Sequence, residues 1–116
     1  LEDNKATNME RVIVIACYKP KPGKQDALHQ LLKTHIPRLK EQGLVTEQIP
    51  ILMEAKDQTI IEVFEWKSAE AIERAHGNPV VLKMWEEFNE VCEYLPVSKI
   101  EETNNLFSEF SPIEIY

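Results

Sequence analysis

At 116 residues, 43% of them hydrophobic and 28% charged, the chain has room for one core and one domain of ordinary globular composition. A formal net charge of -7 repels phosphate backbones, and no stripe of Lys or Arg is interleaved with aromatics, which argues against nucleic acid as a partner. The longest apolar run, Val12 to Tyr18, falls far short of the ~20 residues of a membrane-spanning helix, so no membrane partner is expected and the protein reads as cytoplasmic.

Residues 1–8 are polar and read as a tail or leader, with a single domain over 9–116. Arg11 to Tyr18 forms the first predicted strand, apolar on both alternating faces, so both faces need cover. A loop through Pro22-Gly23 leads to Ala27, Leu28, Leu31, Leu32, His35, Ile36 and Leu39, whose spacing predicts an amphipathic helix to Gln42, stopped by Gly43. Pro37 stands inside that pattern and predicts a break or kink near His35.

Val45 to Glu54 reads as a second strand carrying Pro50, Lys56-Asp57-Gln58 as a turn, and Thr59 to Trp66 as a third strand. Ser68 caps a second helical region that is interrupted at Gly77-Asn78-Pro79 and resumes from Val80 to Cys92. Tyr94 to Val97 leaves the helix, and Ser98 with Glu101 has capping-box spacing for a short helical turn. A last strand is expected over about Leu106 to Ser111.

The order β-α-β-β-α-β is the plan of a ferredoxin-like α+β sandwich with an antiparallel sheet of order 4-1-3-2. This order sends Pro50 and Pro112 to edge strands, where a missing N–H is tolerated. Both helices then cover one face of the sheet. The other face is apolar too, and a second copy of the chain is the expected cover, giving a homodimer.

The three glycines, Gly23, Gly43 and Gly77, form no phosphate-cradling motif. His29 and His35 fall on different sides of their helix, so neither a metal nor a cofactor is expected. Cys17 and Cys92 stand far apart with no CxxC and read as reduced, buried residues. Two histidines are candidates for proton transfer: His76 at a helix end, and His35 over the sheet. Trp66, Tyr18, Trp85 and Met53 are candidates to line a pocket for a small aromatic or hydrophobic molecule.

Three stretches together resemble the antibiotic biosynthesis monooxygenase family of dimeric α/β-barrel proteins. They are Pro22-Gly23-Lys24 after the first strand, the junction Glu65-Trp66-Lys67-Ser68 with Glu70-Ala71, and Ala75-His76 followed by Asn78-Pro79. The resemblance spans about Met9 to Ile113. It implies a barrel-forming homodimer and, in some members, oxidation of phenolic or quinol-type aromatics by dioxygen without metal or flavin, with Trp66 and His76 at motif positions. A haem-degrading branch has a similar look but calls for an Asn on the first strand and, in the second helix region, a Trp followed by a His; here Arg11 to Tyr18 contains no Asn, and His76 precedes Trp85. The competing expectation is a non-catalytic dimeric module that holds a small hydrophobic ligand or serves in a stress response.

Overall fold

The computed structural model describes residues 10–115; the tail expected over 1–8 lies outside them. The chain runs β1 (Val12–Pro20), α1 (Gln25–Glu41), β2 (Ile51–Glu54), β3 (Ile60–Trp66), α2 (Ala69–Ala75), α3 (Pro79–Val91), β4 (Cys92–Leu95) and β5 (Ser111–Pro112), with two short 3-10 turns over Val97–Lys99 and Glu101–Asn104. The strands form one antiparallel sheet of order β4-β1-β3-β2-β5. This is the ferredoxin-like α+β arrangement with a fifth strand added at the β2 edge.

Local chemistry sets most of the boundaries. Gly43 adopts φ 70°, and the N–H groups of Gly43 and Leu44 return to the carbonyls of Lys40 and Leu39, the paired bonds that close a helix at a left-handed glycine. The Ser68 hydroxyl accepts from the Ala71 N–H at 3.0 Å and starts α2. Asn78 accepts from the N–H groups of Val80 and Val81, and its amide donates to Gln42 Oε1, so one side chain starts α3 and ties it to the end of α1.

Three expectations need correction. The break at Pro37 does not occur: α1 is one helix of 17 residues through it. Pro37 stands on the exposed face, where water can serve the carbonyl it leaves unbonded, while Leu32, His35, Ile36 and Leu39 are buried against the sheet. The second strand is shorter than expected, because Val45 touches β3 only through an isolated bridge to Trp66 and ladder pairing begins at Ile51, just past Pro50. The strand expected over Leu106 to Ser111 is not the fourth; that place beside β1 belongs to Cys92–Leu95. Cys92 stands four residues after Phe88 and so continues the helical spacing, but its backbone is already extended at φ -151°, ψ 168°. Pro112 is nonetheless at an edge, paired with Met53 in β5.

Even-numbered residues of β1 and β3 face the helices. Tyr18, Ile60, Phe64 and Trp66 join Leu28, Leu32, Leu39, Met84 and Phe88 in the main core. Among the described residues the opposite sheet face is covered at one end only, where Ile100 and Phe110 pack over Cys17, Ala55 and Ile61. At the other end Ile13, Ile15 and Ile51 remain 65%, 52% and 60% exposed.

Candidate functional site

The cleft over the sheet follows from a mismatch of strand lengths. β1 has nine residues, whereas β4 has four and pairs only with Cys17 to Pro20. Beside Val14, Ile15 and Ala16 the sheet has no β4 neighbour, and a cleft of about 430 Å³ opens there between the sheet and α1 and α3. Its remaining wall is Tyr18, His35, Phe64, Trp66, Trp85 and Asn89, with Tyr94 at the β4 side.

Beneath this aromatic lining lies a buried polar cluster. Glu62, with no exposed surface, is the one acidic residue on the helix-facing side of β3, set between Ala16 and Leu52 on the neighbouring strands. Its Oε1 accepts from the Tyr18 hydroxyl at 2.8 Å and lies 2.8 Å from His35 Nδ1. The His35 contact is short but not aligned as a hydrogen bond, and Glu62 Oε2 has no hydrogen-bond partner among the described residues. The His35 ring meets Phe64 and Phe88 edge-on, at centroid distances of 5.2 and 5.3 Å. Tyr18 stacks on Phe88 at 5.3 Å.

The electrostatics follow from burial. Burial, then the neighbouring Glu62 carboxylate, raises the Tyr18 hydroxyl well above its ordinary range, so it remains a neutral donor. Burial also raises Tyr94, and it pushes the Cys92 thiol to about 11. Two lone pairs facing each other across 2.8 Å would repel, so the close approach of His35 Nδ1 and Glu62 Oε1 calls for a proton between them. His35 is also part of the cleft wall. Such a site can hold a flat aromatic molecule and accept a proton from a hydroxyl on it.

Of the residues singled out from sequence, the structure gathers Tyr18, His35, Trp66 and Trp85 at this cleft. Met53 is elsewhere: it packs beside Cys17, Ala55 and Ile61 on the opposite sheet face, because successive strand residues alternate and Leu52 takes the inward place. His76 is exposed at the end of α2 and off the cleft wall, its ring 5.1 Å from that of Trp85. Glu62 was missed. Its signal was legible, since alternation along Ile60, Glu62, Phe64 and Trp66 puts a carboxylate on the apolar side of a central strand.

Among the described residues no three His, Cys, Asp or Glu side chains gather as a metal site, and no helix is long and apolar enough to cross a membrane. No protein-family model matches the chain, and no curated protein matches it. Solved structures do resemble it. Protein SO0527 from Shewanella oneidensis aligns at TM-score 0.59 and 17% identity, over 76% of this chain and 87% of that one. Rv0793 from Mycobacterium tuberculosis aligns at 0.58 and 22%, over 75% and 94%. A conserved protein from Methanosarcina mazei Go1 aligns at 0.54 and 16%, over 78% and 92%. At these identities the likeness speaks for the fold alone.

Proposed function

We propose that this chain is a cofactor-independent monooxygenase of the antibiotic biosynthesis monooxygenase type, acting on small phenolic or quinol-type aromatics with dioxygen. The observation that carries the reading is His35, backed by a buried carboxylate, on the wall of a cleft that is otherwise almost wholly apolar and aromatic. His35 takes the proton of the substrate hydroxyl, and the dry, aromatic surround leaves an electron-rich anion in contact with dioxygen. In the overall reaction the ring carbon para to that hydroxyl becomes a carbonyl and the phenol becomes a quinone: one atom of dioxygen ends on that carbon, the other leaves as water with the hydroxyl hydrogen and the ring hydrogen, and the substrate itself supplies the electrons. The protein contributes deprotonation, positioning and exclusion of water.

The functional unit we propose is a homodimer, supported by the uncovered stripe of Ile13, Ile15 and Ile51. A cytoplasmic setting accords with two free, buried cysteines. The second reading, a non-catalytic dimer that binds a small hydrophobic ligand, draws on the same aromatic lining and on the tight packing of His35 between Phe64 and Phe88. Oxygen uptake with a panel of quinols and dihydroxyanthrones separates the two. The catalytic reading expects uptake that His35→Ala abolishes and His76→Ala leaves largely intact; uptake absent from the unmodified protein, or unchanged in His35→Ala, refutes it.

A further inference from the structure

We infer that Glu62 is a positioning residue for this cleft: from beneath the wall it holds His35 with Nδ1–H turned inward and Nε2 as the acceptor toward a ligand, so that the cleft takes uncharged hydroxy-aromatics and refuses their carboxylate counterparts. The inference rests on the cleft being the ligand site, and it deepens the proposed function by fixing the charge of the ligand and the atom that receives its proton.

The core gives no reason of its own for a carboxylate at this place. Ala16 and Leu52 flank Glu62 across the strands, and the surrounding cluster is apolar, so a leucine would fit the pattern. Burying an ionised carboxylate costs several kcal/mol, in round terms, even when it is paired. Among the described residues Oε1 accepts from the Tyr18 hydroxyl and lies close to His35 Nδ1, while Oε2 has no hydrogen-bond partner. A carboxylate kept merely for stability would be expected to have both oxygens satisfied.

The contacts show what the carboxylate does. Two groups converge on Oε1, and both also belong to the cleft wall. Tyr18 donates its hydroxyl inward, so that hydroxyl is committed to the carboxylate and the phenol presents its ring to the cleft. His35 keeps a proton on Nδ1, and in the neutral imidazole this leaves the lone pair on Nε2. The same carboxylate thus withdraws one donor from the ligand and supplies one acceptor.

Charge selection follows. Among the described residues no Lys or Arg side chain lines the cleft. A ligand carboxylate would lose its hydration and meet aromatic walls, a lone pair on Nε2 and the negative charge of Glu62 behind them. A hydroxyl meets an acceptor. Asn89 on α3, the Tyr94 hydroxyl and the indoles of Trp66 and Trp85 are the other polar groups of the lining, and they suit a second oxygen on the same molecule.

The test uses the full chain. Heteronuclear NMR reads the protonated nitrogen of His35 directly, and the indole signals of Trp66 and Trp85, the two tryptophans in the chain, report whether a probe enters the cleft. The probes are 2-naphthol and 2-naphthoate, with affinities from titration calorimetry. In the unmodified protein the proton is expected on Nδ1 of neutral His35, and 2-naphthol is expected to shift both indole signals and to bind at least about tenfold more tightly than 2-naphthoate. In Glu62→Leu, an apolar replacement of similar volume, the proton should move to Nε2. In Glu62→Gln, which keeps the shape and removes the charge, the preference between the probes should shrink to less than about threefold. A purely structural Glu62 would alter the melting temperature of these variants and leave tautomer and preference alone. An Nε2–H tautomer in the unmodified protein, equal affinity for the probes, no binding of either, or variants matching the parent in both readouts would each overturn the inference. Failure of oxygen uptake with these results intact removes the monooxygenase reading only. Uptake by a protein that treats both probes alike removes the inference only.

Discussion

Replacing Ile15 by glutamate tests the proposed dimer where it is most exposed to refutation. Complete burial of an isoleucine contributes about 1.5–3 kcal/mol. Ile13, Ile15 and Ile51 are 65%, 52% and 60% exposed, so covering what remains of each contributes about 1–2 kcal/mol. A two-fold interface uses the stripe twice, for a gross gain of about 6–12 kcal/mol, against an association cost of about 4–15 kcal/mol. In the proposed dimer the gain from the stripe is of the same order as the cost of association. Ile15→Glu removes its share from both protomers and sets two carboxylates in a drying interface, where each loses several kcal/mol of hydration, roughly speaking. A weakening of about 1,000-fold, or about 4 kcal/mol, is a conservative expectation. Sedimentation velocity over micromolar concentrations should show a dimer for the unmodified chain and a monomer for Ile15→Glu, with circular dichroism unchanged. A monomeric parent, or a variant that dimerises as well as the parent, would refute the argument.

Pro37→Ala should stabilise the fold by about 1–3 kcal/mol in urea unfolding, because an interior proline costs about 3 kcal/mol and only part of that is returned through a stiffer unfolded chain; a loss of stability would show that the proline shapes α1. Asn78→Ala should cost about 0.5–2 kcal/mol, since it removes the cap of α3 and the tie to Gln42; no change would mean that solvent caps the helix equally well. Stability should fall above pH 9. The folded chain keeps the Cys92 proton to about pH 11 while the unfolded chain releases it near 9.0, so the unfolded state binds fewer protons and stability drops by about 1.4 kcal/mol per pH unit in that window. Tyr18, raised above 10.0, extends the decline. Melting temperatures between pH 8 and pH 10.5 should slope downward, and less steeply in Cys92→Ala; a flat profile would count against burial as the cause.

Periodicity and capping chemistry are properties of neighbours along the chain, and they were readable without coordinates. Gly43 ending α1, Ser68 starting α2, the interruption at Gly77-Asn78-Pro79 before α3, and the alternation of β3 together implied the ferredoxin-like plan. Tyr18, His35, Trp66 and Trp85 were also visible as candidates, because large aromatics and a histidine on apolar faces converge once helices lie on a sheet. Three things needed the tertiary structure. Whether Cys92 prolongs a helix or opens a strand depends on the free edge of β1, since its spacing from Phe88 suits either. Whether Pro37 breaks α1 depends on burial of the residues around it, which outweighs the local cost. The Tyr18–Glu62–His35 cluster joins groups as many as 44 positions apart, and Met53 was lost to the other face by a single step of register. Local forces decide what each segment is. Long-range register decides which side chains meet, and the chemistry of this cleft lies in those meetings.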